Sequence, residues 1–95
     1  MATYIIGVKV IKDEDGNPID PNKQYYTFMS RYNIFIYNSK IALEFKSVEE
    51  AVSWWNSYKL KYPERIKETS VYADLDTLSV RRVMITYKLT EKLTI

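Results

Sequence analysis

The sequence of 95 residues contains neither cysteine nor histidine. Without cysteine the chain can form no disulfide and no thiolate metal site, and it has no cysteine nucleophile. Without histidine it lacks the usual general base near neutral pH and the commonest metal ligand. A two-carboxylate or lysine-based enzyme stays open, but the short chain favours a protein that is not an enzyme. We predict no catalytic residue, no metal and no cofactor.

Glycine is also scarce, because the chain has only Gly7 and Gly16. The phosphate-binding loops of nucleotide enzymes need closely spaced glycines, so the sequence excludes such a loop. The segment from Met1 to Val10 lacks a basic stretch and has only a short apolar run, which predicts neither a signal peptide nor a membrane span. Since small secreted domains often carry disulfides, a cytoplasmic location is expected.

The net charge of +2 is too small for general electrostatic capture of nucleic acid, but the charge is unevenly distributed. Residues 12–20, the acidic loop, hold four acidic side chains and one lysine. Residues 59–67 and residues 81–92 each hold four basic side chains and one glutamate. The protein is therefore expected to have one acidic end and a separate basic patch.

The aromatic residues are numerous, with nine Tyr, three Phe and two Trp, and such residues favour sheets and half-exposed interfaces. Residues 3–11 alternate between two faces and carry apolar side chains on both, which predicts a central strand. Residues 24–29 and 32–37 are dense in aromatic and β-branched types and predict two further strands. Residues 80–89 alternate as a half-exposed strand. Turn residues in 12–23 predict a connection between two antiparallel strands.

A helix is predicted over residues 48–62. Ser47 before it and Glu50 three positions later make a capping box. Pro63 ends the helix, because proline has no backbone N–H and clashes with the preceding turn.

The two adjacent tryptophans of this helix cannot both occupy the centre of one buried face, since neighbouring helical residues point about 100° apart. A helical wheel started at Val48 places Trp55 near the middle of the apolar stripe and Trp54 on its flank, beside Tyr58 and Lys61. Trp54 is then either the anchor for a partner or a packing residue, covered by residues 64–78 or packed on the sheet edge.

Two segments are left undecided by their patterns. Residues 41–45 fit a short strand or a helical turn, and residues 64–78 fit a short strand near 69–73 or a helical turn near 73–78. The simplest packing is a single α+β domain over residues 1–95. It is an antiparallel sheet of about four to five strands with one main helix packed on one face.

A helix-start pattern lies in the middle of the chain. It reads Ala-x-x-Phe-x-Ser-x-Glu-Glu-Ala and is formed here by Ala42, Phe45, Ser47, Glu49, Glu50 and Ala51. With the tyrosine-rich stretch before it, residues 26–50 resemble small uncharacterised proteins encoded by phages and prophages of Gram-positive bacteria. The chain departs from them in the acidic loop and in residues 64–78. The resemblance implies a phage accessory protein, in the cytoplasm of a bacterial host, with no known reaction.

Together these features predict a non-catalytic protein that binds a bacterial protein complex. Inhibition of a host defence or nucleic-acid-processing enzyme, as by anti-CRISPR proteins, is one form that this activity could take. The residues expected to contact the partner are Trp54, Tyr58 and Lys61 on the helix and Asp13, Glu14 and Asp15 in the acidic loop.

Two alternatives stay open. A small nucleic-acid-binding protein would use a basic and aromatic surface, formed by Arg81, Arg82, Lys59, Lys61, Arg65 and Lys67. A homo-oligomeric structural module would assemble through a strand edge or the flank of Trp54. The acidic loop also contains Asp13-x-Asp15-x-Asn17, the start of a calcium loop, but Pro18 and Gln24 stand where such a loop needs glycine and glutamate. A solvated turn is therefore expected, with no metal.

Overall fold

The computed structural model describes residues 3–23 and 25–83. Its elements, in chain order, are β1 (Thr3–Val10), β2 (Tyr26–Met29), β3 (Phe35–Ile36), a 3-10 turn (Ser39–Ile41), α1 (Val48–Lys61), α2 (Pro63–Ser70) and β4 (Ala73–Val83). The described strands form one antiparallel sheet in the order β3-β2-β1-β4. The predicted α+β class is confirmed, with four strands in the described part. Residues 84–89 of the predicted last strand, and Gln24, lie outside it.

The strand β1 is central, as the two-faced apolar pattern predicted. It pairs with β2 on one side, where Val8 lies opposite Thr27, and with β4 on the other, where Ile6 lies opposite Val80. Ile6 and Val8 are completely buried, and burying a large aliphatic side chain stabilises a fold by about 1.5–3 kcal/mol. The predicted antiparallel connection over residues 12–23 is also confirmed, since it joins β1 to β2.

The two faces of the sheet differ. Because side chains alternate along a strand, Ile6 and its neighbour Val80 face the helices. The core on this side consists of Ile6, Met29, Phe45, Ala51 and Tyr58. The other face carries Gly7, where a Cβ would lie 3.3 Å from two ring carbons of Phe28. Glycine at this position therefore lets the Phe28 ring lie close over the central strand.

The connection between β2 and β3 is longer than the sequence suggested. The Ser30 backbone N–H donates to the Ile34 carbonyl over 2.9 Å, and Asn33 adopts a left-handed conformation with φ 63°. Asparagine tolerates this conformation better than most residues. Because this turn occupies residues 31–34, the strand predicted over 32–37 is reduced to Phe35–Ile36.

The undecided segment 41–45 forms neither a continuous strand nor a helical turn of its own. The chain makes the 3-10 turn Ser39–Ile41 and then runs extended along the sheet. Isolated bridges pair Ala42 with Ser30 and Phe45 with Tyr4. The segment thus closes the core beside β1 without forming a continuous strand.

The start and end of α1 follow the predicted signals. The Ser47 Oγ accepts a hydrogen bond from the Glu50 backbone N–H over 3.1 Å, so the predicted N-cap is confirmed. The Glu50 carboxylate accepts from the Lys46 backbone N–H rather than from Ser47. Pro63 ends α1 and is the first residue of α2. A backbone N–H at the first position of a helix has no partner within that helix, so proline costs no hydrogen bond there.

Both alternatives for residues 64–78 were wrong. Residues up to Ser70 are helical, and an extended strand begins at Ala73. The register explains why the strand was not recognised. Gly7 pairs with Ser79, whereas Lys9, two residues on, pairs with Asp74. This bulge breaks the period-two alternation by which a strand is detected, and Thr77 Oγ1 accepts from the Lys9 backbone N–H over 2.9 Å within it.

The predicted buried face of α1 was also misplaced. Val48 is exposed, and so is Val52 one turn on, whereas Ala51 and Tyr58 are buried. The centre of the buried face therefore lies between Ala51 and Tyr58, about 70° from Val48 on the wheel. Trp54 and Trp55 flank that centre on opposite sides, and both are half-buried. Among the described helices, none combines the length and apolarity needed to cross a membrane.

Candidate functional site

The predicted anchor region on α1 is an aromatic cluster. Tyr58 is only 4 % exposed and stacks on Trp54 and on Trp55, with ring centroids 5.1 and 5.4 Å away. Trp54 also packs against Phe45 at 5.7 Å, and Trp55 meets Phe35 edge-on at 6.0 Å. Tyr58 is therefore a core residue, and the contact with a partner that the sequence predicted for it stays a prediction. Neither ring partner of Trp54 belongs to residues 64–78.

The three predicted helix residues Trp54, Tyr58 and Lys61 line one shallow groove of about 210 Å³. Asn33, Ser57 and Tyr62 complete its lining. The Lys61 ammonium lies 5.5 Å from the centroid of the Tyr62 ring. Part of the Trp54 surface thus remains accessible beside a positive charge. A role for Trp54 and Lys61 in partner binding stays a prediction.

The acidic loop is held in shape by its own first carboxylate. Asp13 Oδ1 accepts hydrogen bonds from the backbone N–H groups of Asp15 and Asn17, over 3.0 and 2.8 Å. Gly16 adopts φ 82°, which suits glycine. Asp13 therefore organises the turn through its own side chain. No group of three or more possible metal ligands occurs in the described residues.

The base of the acidic loop is fixed to the chain that follows α2. The backbone N–H groups of Ile11 and Lys12 both donate to the Tyr72 carbonyl, over 2.8 and 3.1 Å. The loop therefore stands next to Val71 and Tyr72, and these two residues form a wall opposite the sheet.

A cavity of about 290 Å³ lies between the acidic loop, this wall and the helix-facing side of β2 and β3. Thr27 faces this side because it lies opposite Val8, and Phe35 does so because it lies opposite Met29. The lining residues are Lys12, Asp13, Glu14, Gly16, Thr27, Phe35, Tyr37, Val71 and Tyr72. The lining thus combines three aromatic rings with two carboxylates and one ammonium.

The floor of the cavity contains a buried polar group. Thr27 is 1 % exposed, and its Oγ1 has no hydrogen-bond partner among residues 3–23 and 25–83. Leaving a buried hydroxyl unpaired is unfavourable by about 1–3 kcal/mol, and such groups are rare in folded proteins. Thr3 Oγ1 and Arg81 Nε are unpaired in the same way among the described residues, so the unpaired Thr27 hydroxyl does not by itself mark a binding site.

Tyr72 contributes a neutral hydroxyl to the same cavity. Burial raises the pKa of Tyr72 above its ordinary value of 10.0, a hydrogen bond with Thr69 opposes this, and the nearby Tyr37 and Glu68 raise it further. Tyr72 therefore stays protonated throughout the physiological range.

Sequence reasoning found only part of this site. Asp13 and Glu14 were predicted as contact residues and both line the cavity, whereas Asp15 does not. Thr27, Phe35 and Tyr72 were missed, because their proximity depends on sheet register and on the turn after α2. The tyrosine excess was the one available signal, and it did not indicate which tyrosines converge.

The basic residues proposed for nucleic acid do not form one patch. Arg81 lies opposite Ile5, on the face away from the helices, and its guanidinium stacks on the Tyr26 ring at 3.8 Å. Arg65 lies in α2 and donates from Nη1 to the Asn33 carbonyl over 2.9 Å. Four other basic residues are exposed on the helices or on the helix-facing side of the sheet, namely Lys59, Lys61, Lys67 and Arg82. Nucleic-acid binding stays an alternative prediction.

Comparisons with protein-family models, with curated proteins and with solved structures find no match. The function is therefore inferred from the fold and from the cavity beside the acidic loop.

Proposed function

We propose that the protein is a non-catalytic binding module whose cavity beside the acidic loop receives part of a bacterial partner protein. The observation that carries this proposal is the combination of a concave aromatic site with exposed apolar side chains at its rim. Tyr37 is 59 % exposed and Val71 is 66 % exposed, and both line the cavity. Exposed aromatic and apolar side chains around a recess are typical of protein-binding sites.

The size of the cavity supports a side chain as its occupant. Pockets for drug-sized ligands are about 300–1,000 Å³, and this cavity is about 290 Å³. The cavity is therefore at the lower end of that range, and one long side chain of a partner protein would fit within it. The rim residues Tyr37 and Val71 would then contact the backbone around that side chain.

The charge of the site indicates the kind of partner surface. Asp13 and Glu14 outnumber Lys12 in the lining, so the entrance favours a basic surface and disfavours an acidic one. A basic groove on a nucleic-acid-processing or defence enzyme is a partner surface of this basic kind. With the phage resemblance, this supports an accessory protein that acts by occupying such a surface.

The proposal is tested by affinity purification from a Gram-positive host lysate followed by mass spectrometry. Wild type, Tyr37→Ser and Tyr32→Ser are compared, because Tyr32 is 73 % exposed and is not a lining residue. We expect the same partner with wild type and with Tyr32→Ser, and its loss with Tyr37→Ser. Equal retention by all three proteins would contradict binding through the cavity.

A further inference from the structure

The helix α1 carries apolar side chains on two opposite sides. One side holds Ala51 and Tyr58, which are buried in the core. The other side holds Val48, Val52 and Leu60, which are 43, 45 and 87 % exposed. A surface helix of a monomer usually has one apolar stripe and a polar face opposite to it, and a helix with apolar residues all round is normally covered all round. The second apolar side of α1 is therefore a feature that the monomer does not explain.

This second side forms a shallow groove of about 520 Å³, which we call the outer face. Its lining comes from α1 alone and consists of Val48, Glu49, Val52, Ser53, Asn56, Ser57 and Leu60. Within residues 3–23 and 25–83, no second element contributes to it. Val48, Val52, Asn56 and Leu60 follow one another at intervals of four residues, and rows with this spacing form the ridges along which helices pack against each other.

We propose that the outer face packs against the outer face of a second copy of the chain, with the two α1 helices antiparallel. The charges of α1 favour this partner. Glu49 and Glu50 lie in its first turn, and Lys59 and Lys61 lie in its last turn. In an antiparallel pair, the acidic start of each helix lies beside the basic end of the other, whereas a parallel pair would bring like charges together. Such charges flanking a helix pair set the choice of partner and its orientation.

One register suits the apolar and the charged side chains together. When Val48 lies level with Leu60 of the second copy, antiparallel geometry places Glu49 level with Lys59 of that copy. The same register places Val52 level with Asn56 near the middle of the interface. Each contact then occurs twice, as a two-fold axis requires. The outer face is thus complementary to itself in both apolar surface and charge.

The outer face is separate from the cavity beside the acidic loop, because the two share no lining residue. It also differs from the strand edge and the flank of Trp54, which the sequence suggested for self-association. A dimer formed through the outer face would present two cavities to a partner, and two linked binding sites raise the overall affinity for a partner that both can reach. The dimer does not depend on whether the cavity binds a partner.

Sedimentation equilibrium of the purified full chain tests the dimer. We expect the average mass to rise from that of a monomer towards that of a dimer as the protein concentration increases. Leu60→Ser should raise the Kd of the dimer at least tenfold, because it removes apolar surface that association would bury. Val71→Ser is the matched control, since Val71 is 66 % exposed and lies outside the groove, and it should leave the Kd unchanged.

An exchange of charges tests the antiparallel arrangement. Glu49→Lys should weaken the dimer, because it brings two lysines close together at both ends of the interface. Adding Lys59→Glu should restore most of the lost affinity, since opposite charges would again lie beside each other. Both proteins carry Glu49→Lys, so its effect on the start of the helix is common to the two. Circular dichroism checks that their helix content is equal.

A monomer mass at every concentration would overturn the proposal. A dimer that Leu60→Ser leaves as stable as the wild type would also overturn it, since another surface would then hold the two copies together. If the double variant associates as weakly as Glu49→Lys alone, the helices are not antiparallel and the assigned interface is wrong. The affinity purification is a separate test, because Tyr37 and Tyr32 lie outside the outer face.

Discussion

The Tyr58 hydroxyl donates a hydrogen bond of 2.7 Å to the backbone carbonyl of Asn33. The same oxygen accepts from Nη1 of Arg65 over 2.9 Å. Asn33 lies in the left-handed turn between β2 and β3, Tyr58 in α1 and Arg65 in α2. One carbonyl therefore joins both helices to the sheet, and the ring of Tyr58 reaches it from between the two tryptophans.

Tyr58→Phe should lower the free energy of unfolding by about 1 kcal/mol, the usual contribution of one hydrogen bond. The ring and its stacking are retained, so the loss reports on the hydroxyl alone. Urea denaturation followed by tryptophan fluorescence measures the change. Tyr32→Phe is the control, because Tyr32 is exposed, and it should have no effect. Equal stabilities of Tyr58→Phe and wild type would show that the bond contributes nothing.

The fold should lose stability at high pH. Burial is the main cause that raises the pKa of both Tyr58 and Tyr72 above 10.0 in the folded protein. The stabilising contribution is fully present below pH 10, where both hydroxyls are protonated in folded and unfolded chains alike. It declines as pH rises further, because the unfolded chain ionises first. Urea midpoints across this range should fall, and Tyr58→Phe should reduce the slope. A pH-independent midpoint would contradict the shifts.

Much of the fold was predictable because its signals are local. The alternation in residues 3–11 indicated a central strand, and Ser47 with Glu50 indicated the start of α1. The β4 strand was obscured near residues 73–78, since the bulge between Gly7 and Lys9 disturbs alternation. The buried face of α1 was misplaced because the apolar stripe was centred near Trp55, whereas Val48 and Val52 are exposed. The sheet instead contacts the small Ala51 and the large Tyr58.

Only the acidic loop of the candidate site was predictable, because its residues are neighbours in the sequence. Four acidic residues in a short turn mark a surface loop whatever the fold. The pairing of Thr27 with Val8, and the bonds from Ile11 to Tyr72, join residues far apart in the chain. No pattern within one segment reveals such contacts, so the cavity emerged only from the tertiary structure.

Ser47→Ala should destabilise the protein by about 1 kcal/mol, because the Glu50 backbone N–H loses its capping partner. Ser53→Ala, within α1 and exposed, should be neutral or slightly stabilising, since alanine is the better helix former. Thermal unfolding followed by circular dichroism compares the two variants. A larger loss from Ser53→Ala would contradict the assigned cap.

Thr27→Val should raise the free energy of unfolding by about 1 kcal/mol, because it replaces an unpaired buried hydroxyl with a methyl group of similar shape. The strand would keep a β-branched residue, which suits its position opposite Val8. Urea denaturation measures this gain.

Thr69→Val is the matched control for that change. Thr69 is also buried, but its Oγ1 donates to the Arg65 carbonyl over 2.8 Å. Removing a satisfied hydroxyl should therefore lower stability, opposite in sign to Thr27→Val, although both substitutions are chemically identical. If Thr27→Val also destabilises the protein, its hydroxyl is already paired in the free protein.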